Sequence, residues 1–346
     1  MADEKNTLLE VENLKKHFPV KRGVFGTSLE TVKAVDGVSF YIKKGETLGL
    51  VGESGSGKTT LGRMILRAIE PTEGKINYRI NGDQWIEFSS LKGKQVREFR
   101  KHAQMIFQDP YSSLNSRLTA RDIIGEPLAA TKTAKGAEAD ERIREVAIRC
   151  KLNIEHLRRY PHAFSGGQRQ RIGIARALVL NPEFIVCDEP VSALDVSIQA
   201  QILNLLMDLQ DEFGLTYLFI AHELSVVEHV SDRVAVMYLG RLVEMAKTRE
   251  LFYNPMHPYT EALMSAIPVA DPDDMMQPIL LTGEIPGPIN PPSGCHFHPR
   301  CRYAQDVCRV ETPEWKEYQP DHYIACHLAD TLTLKGVGEY IHERRA

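Results

Sequence analysis

Thr47-Leu48-Gly49-Leu50-Val51-Gly52-Glu53-Ser54-Gly55-Ser56-Gly57-Lys58-Thr59-Thr60 is an apolar run that breaks into a glycine-rich turn carrying one lysine and several hydroxyls. The order Gly52, four residues, then Gly57-Lys58-Thr59 is the pattern of a phosphate-cradling loop set between a strand and a helix. Its glycines let backbone N–H groups curl around phosphate oxygens at a helix N-terminus. Lys58 adds a point charge for the β- and γ-phosphates, and Thr59 offers its hydroxyl to Mg²⁺. Ser54, Gly55, Ser56 and Thr60 complete the candidate nucleotide-binding set. Standing alone, these letters could be no more than a Gly-rich turn before a helix.

A second stretch supplies what that loop needs. Phe184-Ile185-Val186-Cys187-Asp188-Glu189 is an apolar run ending in two carboxylates, so a central strand would deliver both to the C-terminal edge of a sheet. Asp188 can hold Mg²⁺ through its water shell, and Glu189 can polarise the water that attacks a γ-phosphate. Around these two strands the chain alternates. Residues 8 to 99 are short β-like runs, residues 103 to 160 turn helical, and residues 168 to 252 alternate charged helical stretches with buried-strand runs. That last alternation reads as β–α units forming a parallel sheet, so the fold class expected is α/β.

Between the two stretches lies Ser165-Gly166-Gly167-Gln168, just before an apolar-periodic helix. Alone it reads as a flexible turn; here it makes the chain resemble the ATP-binding subunits of ABC transporters. The resemblance implies a RecA-like α/β core with an antiparallel β subdomain and a helical subdomain near residues 103–165. It also implies that Ser165, Gly166, Gly167 and Gln168 serve the nucleotide held by a neighbouring subunit, so that two chains build each reaction site. Gln108 matches the family's glutamine loop, which senses Mg²⁺ and the attacking water. Asp195 matches the loop that crosses the dimer interface, and His222 the switch histidine at the γ-phosphate. Phe18 matches the ring that stacks on adenine, with His17 as the neighbouring candidate.

Lys16-His17-Phe18-Pro19-Val20, Asp109-Pro110-Tyr111-Ser112-Ser113-Leu114-Asn115, Tyr160-Pro161-His162 and His257-Pro258-Tyr259-Thr260 narrow the resemblance to the dipeptide/oligopeptide importer ATPases, F-type. This implies an ATPase at the cytoplasmic face of the membrane, paired with a D-type ATPase subunit and two permease subunits. An external solute-binding protein would act indirectly. Peptide is the solute expected, with nickel and oligosaccharide as the alternatives within the group.

The chain's 346 residues are about twice a common domain. They divide into a nucleotide-binding domain, 1–267, and a C-terminal extension, 268–346, joined by a segment that holds seven of the nineteen prolines. A composition of 43% apolar and 25% charged residues suits a globular chain with an ordinary core. The 42 basic residues against 46 acidic, net −4, offer no nucleic-acid footprint, which argues against a soluble ABC ATPase acting on DNA or RNA. With no apolar run of about 18 residues and no basic-then-apolar start, the chain is expected to stay in the cytosol and reach the membrane through partners.

Of six cysteines, Cys295, Cys301, Cys308 and Cys326 crowd into the last sixth of the chain. In a reducing compartment four such cysteines read more readily as metal ligands than as two disulfides. Their spacing names no metal, being wider than zinc-ribbon pairs. The family resemblance implies a [4Fe–4S] cluster there, with Zn²⁺ as the alternative.

Overall fold

A computed structural model of the chain describes residues 6–22, 28–80, 84–267 and 278–337. Two long strands open it, β1 (Thr7–Arg22) and β2 (Ser28–Lys43), antiparallel along their length. In β1 the side chains of Leu9 and Val11 are buried while Glu10 and Glu12 point away from the core, the period of two of a half-buried strand. Next come β3 (Thr47–Val51), helix α1 (Lys58–Ile65), β4 (Glu73–Ile80) and β5 (Gln84–Glu87). The antiparallel sheet runs β2-β1-β4-β5.

Helix α2 (Lys94–Phe99) leads to β6 (Ala103–Ile106), which departs into the second sheet. Helices α3 (Ala120–Thr131) and α4 (Ala137–Arg149) follow, then α5 (Gly166–Leu178), against which both of them pack. Strand β7 (Phe184–Asp188), helix α6 (Val196–Phe213), β8 (Thr216–Ile220), α7 (Leu224–Val230) and β9 (Arg233–Tyr238) build the parallel part. In it β3 pairs in parallel with both β8 and β9, and β7 with both β6 and β8.

Strand β7 shows why its residues had to be apolar throughout. Phe184 and Val186 pack on the antiparallel-sheet side, Ile185 and Cys187 on the helical side, so the strand is buried on both faces. Burial pushes the Cys187 thiol well above its ordinary value, and lifts Cys150 in the same core to about 12. Both behave as small apolar side chains.

After β10 (Arg241–Lys247), antiparallel to β9, come α8 (Thr248–Tyr253) and α9 (Pro258–Met264). Residues 278–297 carry no regular element, as their proline density requires; Pro268 and Pro272 of the same stretch lie outside the described residues. The last elements are α10 (Asp306–Val310), β11 (Lys316–Gln319) and β12 (His322–Ile324). Their placement has no counterpart in the sequence pattern: β12 pairs with β10, so the main sheet runs β11-β12-β10-β9-β3-β8-β7-β6. No helix among the described residues is long and apolar enough to cross a membrane.

Glu244 of β10 fastens this junction. It is fully buried, and its carboxylate accepts from the Met256 N–H at 2.7 Å, the His257 N–H at 3.0 Å and the His322 ring at 2.8 Å. Removing it would leave one buried and one partly buried backbone donor and a buried ring nitrogen without partners. Glu244→Ala should therefore lower stability by about 3 kcal/mol in urea unfolding, with a loss under about 1 kcal/mol contradicting this role.

Candidate active site

The turn after β3 is shaped by glycines where a side chain has no room. At Gly57, φ is +108° and a Cβ would lie 2.2 Å from the Ala34 carbonyl; at Gly52, φ is +148° and a Cβ would lie 2.1 Å from the Met237 carbonyl. The loop is thus packed tightly against the backbones of β2 and β9, and Lys58, at the first turn of α1, folds its ammonium back over it. That ammonium donates to the carbonyls of Gly52 at 2.7 Å and Glu53 at 3.0 Å. Burial holds Lys58 below its ordinary 10.5, while the carboxylates of Glu189, Asp188 and Glu53 pull the other way.

The two carboxylates after β7 arrive at the same edge. The Thr59 hydroxyl donates to Asp188 at 2.8 Å, joining the loop to the strand end 129 residues later. Burial raises the Asp188 carboxyl above its ordinary 3.8, with Glu189 adding to the rise and the Thr59 bond, Arg63 and Lys58 opposing it. An oxygen pair of carboxylate and hydroxyl beside an open cavity is the donor chemistry Mg²⁺ takes, with water completing its shell.

Glu189 adopts φ +46°, a left-handed conformation that a non-glycine residue rarely takes, and its N–H is tied to the Ile220 carbonyl at 2.9 Å. That bend turns its carboxylate toward two partners from other elements. Gln108 donates to Oε2 at 2.8 Å, and His222 Nδ1 lies 3.1 Å from the same oxygen. Ser54, Gly55, Gly57, Lys58, Thr59, Thr60, Gln108 and Glu189 all line one cavity of about 300 Å³. Ser56 lies just behind, its hydroxyl 3.4 Å from Lys58 Nζ.

Val32 also lines the cavity and is the register partner of Phe18 across β1 and β2, so the two side chains share a sheet face, though Phe18 itself does not line the cavity. The His17 ring is instead engaged by Asp36 at 3.0 Å, and Asp36 is held in turn by Arg241 at 2.8 Å. Of the two rings, Phe18 is the one whose strand partner lines the cavity.

Two of the expected groups lie elsewhere. Ser165 caps α5: its hydroxyl accepts from the Gln168 N–H at 3.4 Å, and the Gln168 side chain accepts from the Ser165 N–H at 3.1 Å. Neither these two nor Gly166 and Gly167 line the cavity. Asp195 caps α6, accepting from the Ile198 N–H at 3.0 Å, and that bond holds its carboxyl below the ordinary range. The loop from Gln108 is itself linked to α5. The Arg169 guanidinium lies 4.2 Å from the Tyr111 ring centre, and Arg176 donates to the Ser113 carbonyl at 2.7 Å.

Cys295, Cys301, Cys308 and Cys326 are free thiols, and among the described residues no group of three or more His, Cys, Asp or Glu side chains is arranged to hold a metal ion. The expected four-cysteine site is thus not ready-made among the described residues. The segment is ordered by other means. The Cys295 N–H donates to the Cys308 carbonyl at 2.9 Å, Tyr318 donates to the Cys326 carbonyl at 3.2 Å, and Phe297 is fully buried. Burial raises Cys301 to about 11 and Cys326 to about 12, and neighbouring cysteines of the set add to both.

The chain matches the ABC transporter family over residues 35–192 and the oligopeptide/dipeptide transporter C-terminal region over residues 243–308. It is 53% identical to the oligopeptide transport ATP-binding protein AppF of Bacillus subtilis, over 94% of this chain and 99% of that protein. It is 50% identical to the dipeptide transport ATP-binding protein DppF of Haemophilus influenzae, over 94% and 98%. Among solved structures, the ATP-binding cassette MJ0796, in a dimeric post-hydrolysis state bound to ADP and Pi, matches with a TM-score of 0.60 at 30% identity. That match covers 70% of this chain and 99% of the cassette.

The raised Asp188 carboxyl has a cost in the nucleotide-free chain. A folded value above the unfolded one means that stability falls as the pH rises through the interval between them, and the loss persists at neutral pH. Asp188→Asn keeps the acceptor for Thr59 and removes the charge. The variant should melt about 2 °C higher at pH 7 than the parent, and the difference should vanish toward pH 3.8. A lower melting temperature at pH 7 would contradict the reading.

Proposed function

The chain belongs to the ATP-binding subunits of ABC-type oligopeptide and dipeptide transporters, and from that premise we propose that it hydrolyses ATP to drive peptide import through membrane permease subunits. The observation that carries the proposal is the meeting at one sheet edge of Lys58, Thr59 and Asp188 with a Glu189 carboxylate gripped by Gln108 and His222. In this reading Gly52, Ser54, Gly55, Ser56, Gly57, Lys58, Thr59 and Thr60 cradle the triphosphate, and Phe18 stacks on adenine. Thr59, Asp188 and Gln108 would hold Mg²⁺, which supplies charge neutralisation of the phosphate oxygens.

Glu189 accepts a proton from the attacking water as the new O–P bond forms and the bond to the ADP oxygen breaks. His222 and Gln108 fix the direction of that carboxylate. Ser165, Gly166, Gly167 and Gln168 present backbone N–H groups and a hydroxyl at the head of α5 to the nucleotide on a neighbouring subunit's phosphate loop, with Asp195 at the same interface. Their position away from their own chain's cavity supports that division. The neighbour is assigned as a D-type ATPase subunit, and the external solute-binding protein acts only through the permeases.

The loop from Gln108 through Arg117, with Tyr111 58% exposed, is assigned to the permease contact. It touches Glu189 at one end and grips α5 through Arg169 and Arg176 at the other, so occupancy of the site and orientation of the helical lobe are mechanically joined.

The finer reading gives Cys295, Cys301, Cys308 and Cys326 to a [4Fe–4S] cluster, which takes thiolates spread around several irons rather than four at one point. The 2.9 Å bond from the Cys295 N–H to the Cys308 carbonyl, which brings two of the four together, supports it. Anaerobically purified protein should show a broad visible band bleached by dithionite; a colourless protein would remove the cluster from the account.

For the central proposal, Glu189→Gln should bind ATP with near-parent affinity in the assembled transporter while phosphate release falls by about 10²–10⁴-fold. Turnover within about threefold of the parent would contradict the assignment of Glu189.

A further inference from the structure

Glu53, the second residue of the phosphate loop, is held from outside the loop in two ways. Its N–H donates to the Tyr259 hydroxyl at 2.9 Å. Its carboxylate meets the guanidinium of Arg300 in a two-point fork, Nη1 to Oε2 at 2.6 Å and Nη2 to Oε1 at 3.0 Å. A third bond comes from within the loop, since the Glu53 carbonyl accepts from Lys58. The partner Arg300 is 247 residues away in sequence, in the short turn His298–Arg300 between Cys295 and Cys301.

That turn is anchored firmly enough to act as a fixed point. Phe297, one residue before it, packs against the touching pair Tyr238 and Tyr259 with ring centres 5.3 Å from each, and all three rings are buried. Arg300 itself is 8% exposed and also reaches the Tyr238 hydroxyl at 3.5 Å. Farther up the same C-terminal segment, the Pro288 carbonyl accepts from the Lys33 N–H at 3.0 Å, and Pro288 lines the triphosphate cavity. The extension thus reaches the site from two directions, behind the loop and along the cavity wall.

We propose that Arg300 is a positioning residue for the phosphate loop: through its fork on Glu53 it holds the loop's backbone ready for the triphosphate, so that the turn between Cys295 and Cys301 sets nucleotide affinity. The proposal rests on the reading of the Gly52–Thr59 loop as the ATP site. A planar fork fixes both distance and angle, which a lysine's single ammonium cannot do. Loop preorganisation enters binding rather than the chemical step, so its loss raises KM for ATP and leaves kcat nearly unchanged.

The test is a titration of the full-length chain with a fluorescent ATP analogue and Mg²⁺, together with ATP kinetics of the assembled transporter. Arg300→Ala and Glu53→Ala should each weaken binding about tenfold and raise KM to match, with kcat within about twofold. Arg300→Lys should fall between parent and alanine variant. The double variant Arg300→Ala/Glu53→Ala should be no worse than either single, because both lose the same fork. It also removes both charges together, so it carries the test if Arg300→Ala alone does not fold. Affinity within twofold of the parent in Glu53→Ala and in the double variant overturns the proposal, even if both melt at lower temperature. A parent chain that binds no ATP would overturn the reading of the site instead.

Discussion

The 2.8 Å hydrogen bond from Thr59 to Asp188 joins the two halves of this chain at the edge where the proposed ATP chemistry takes place. It is possible because β3 and β7 both lie beside β8 in parallel, which carries their C-terminal ends to the same edge. A strand order that separated them would leave a phosphate loop without its carboxylates. The parallel arrangement also explains why both strands are buried along their whole length and why β7 is apolar on every residue but its last, Asp188.

At that edge the molecule combines buried ionisable groups with strained backbone. Lys58 and Asp188 are nearly fully buried and ionisable, and Glu189 sits in left-handed backbone geometry. Each feature costs stability in the empty chain and is useful once a highly charged ligand arrives. Phosphate would add to the counter-charge that Glu189, Asp188 and Glu53 give the desolvated ammonium. The turned Glu189 carboxylate presents one oxygen to two donors, leaving it directed rather than free to rotate. Strain and desolvation gathered at one place, with the core around them conventionally apolar, is the signature of a functional site.

Most of this was legible in the sequence because it depends on local pattern. Gly52 to Thr59 and Phe184 to Glu189 are contiguous stretches whose residue types demand particular backbones, and the caps Ser165 and Asp195 sit directly before their helices. What sequence could not show are pairings between distant residues with no local signal. Glu244 lies in an apolar strand and looks like an ordinary surface acid until β12 and His322 close over it. Arg300 is one basic residue in a proline- and cysteine-rich stretch, and its partner occupies a position of the loop where the motif accepts any residue. The cysteines drew attention as a metal set, while the features that tie that segment to the core are the ring of Phe297 and the guanidinium beside it.

The account stands or falls on one triphosphate being shared by the loop after β3 and the acids after β7. A structure of the full chain with ATP and Mg²⁺ bound tests this most directly. The account predicts phosphates against Lys58 and the loop's N–H groups, with the metal between Thr59 and Asp188 and Glu189 facing the γ-phosphate. A triphosphate bound elsewhere on the chain, or a metal held away from both Thr59 and Asp188, would contradict it.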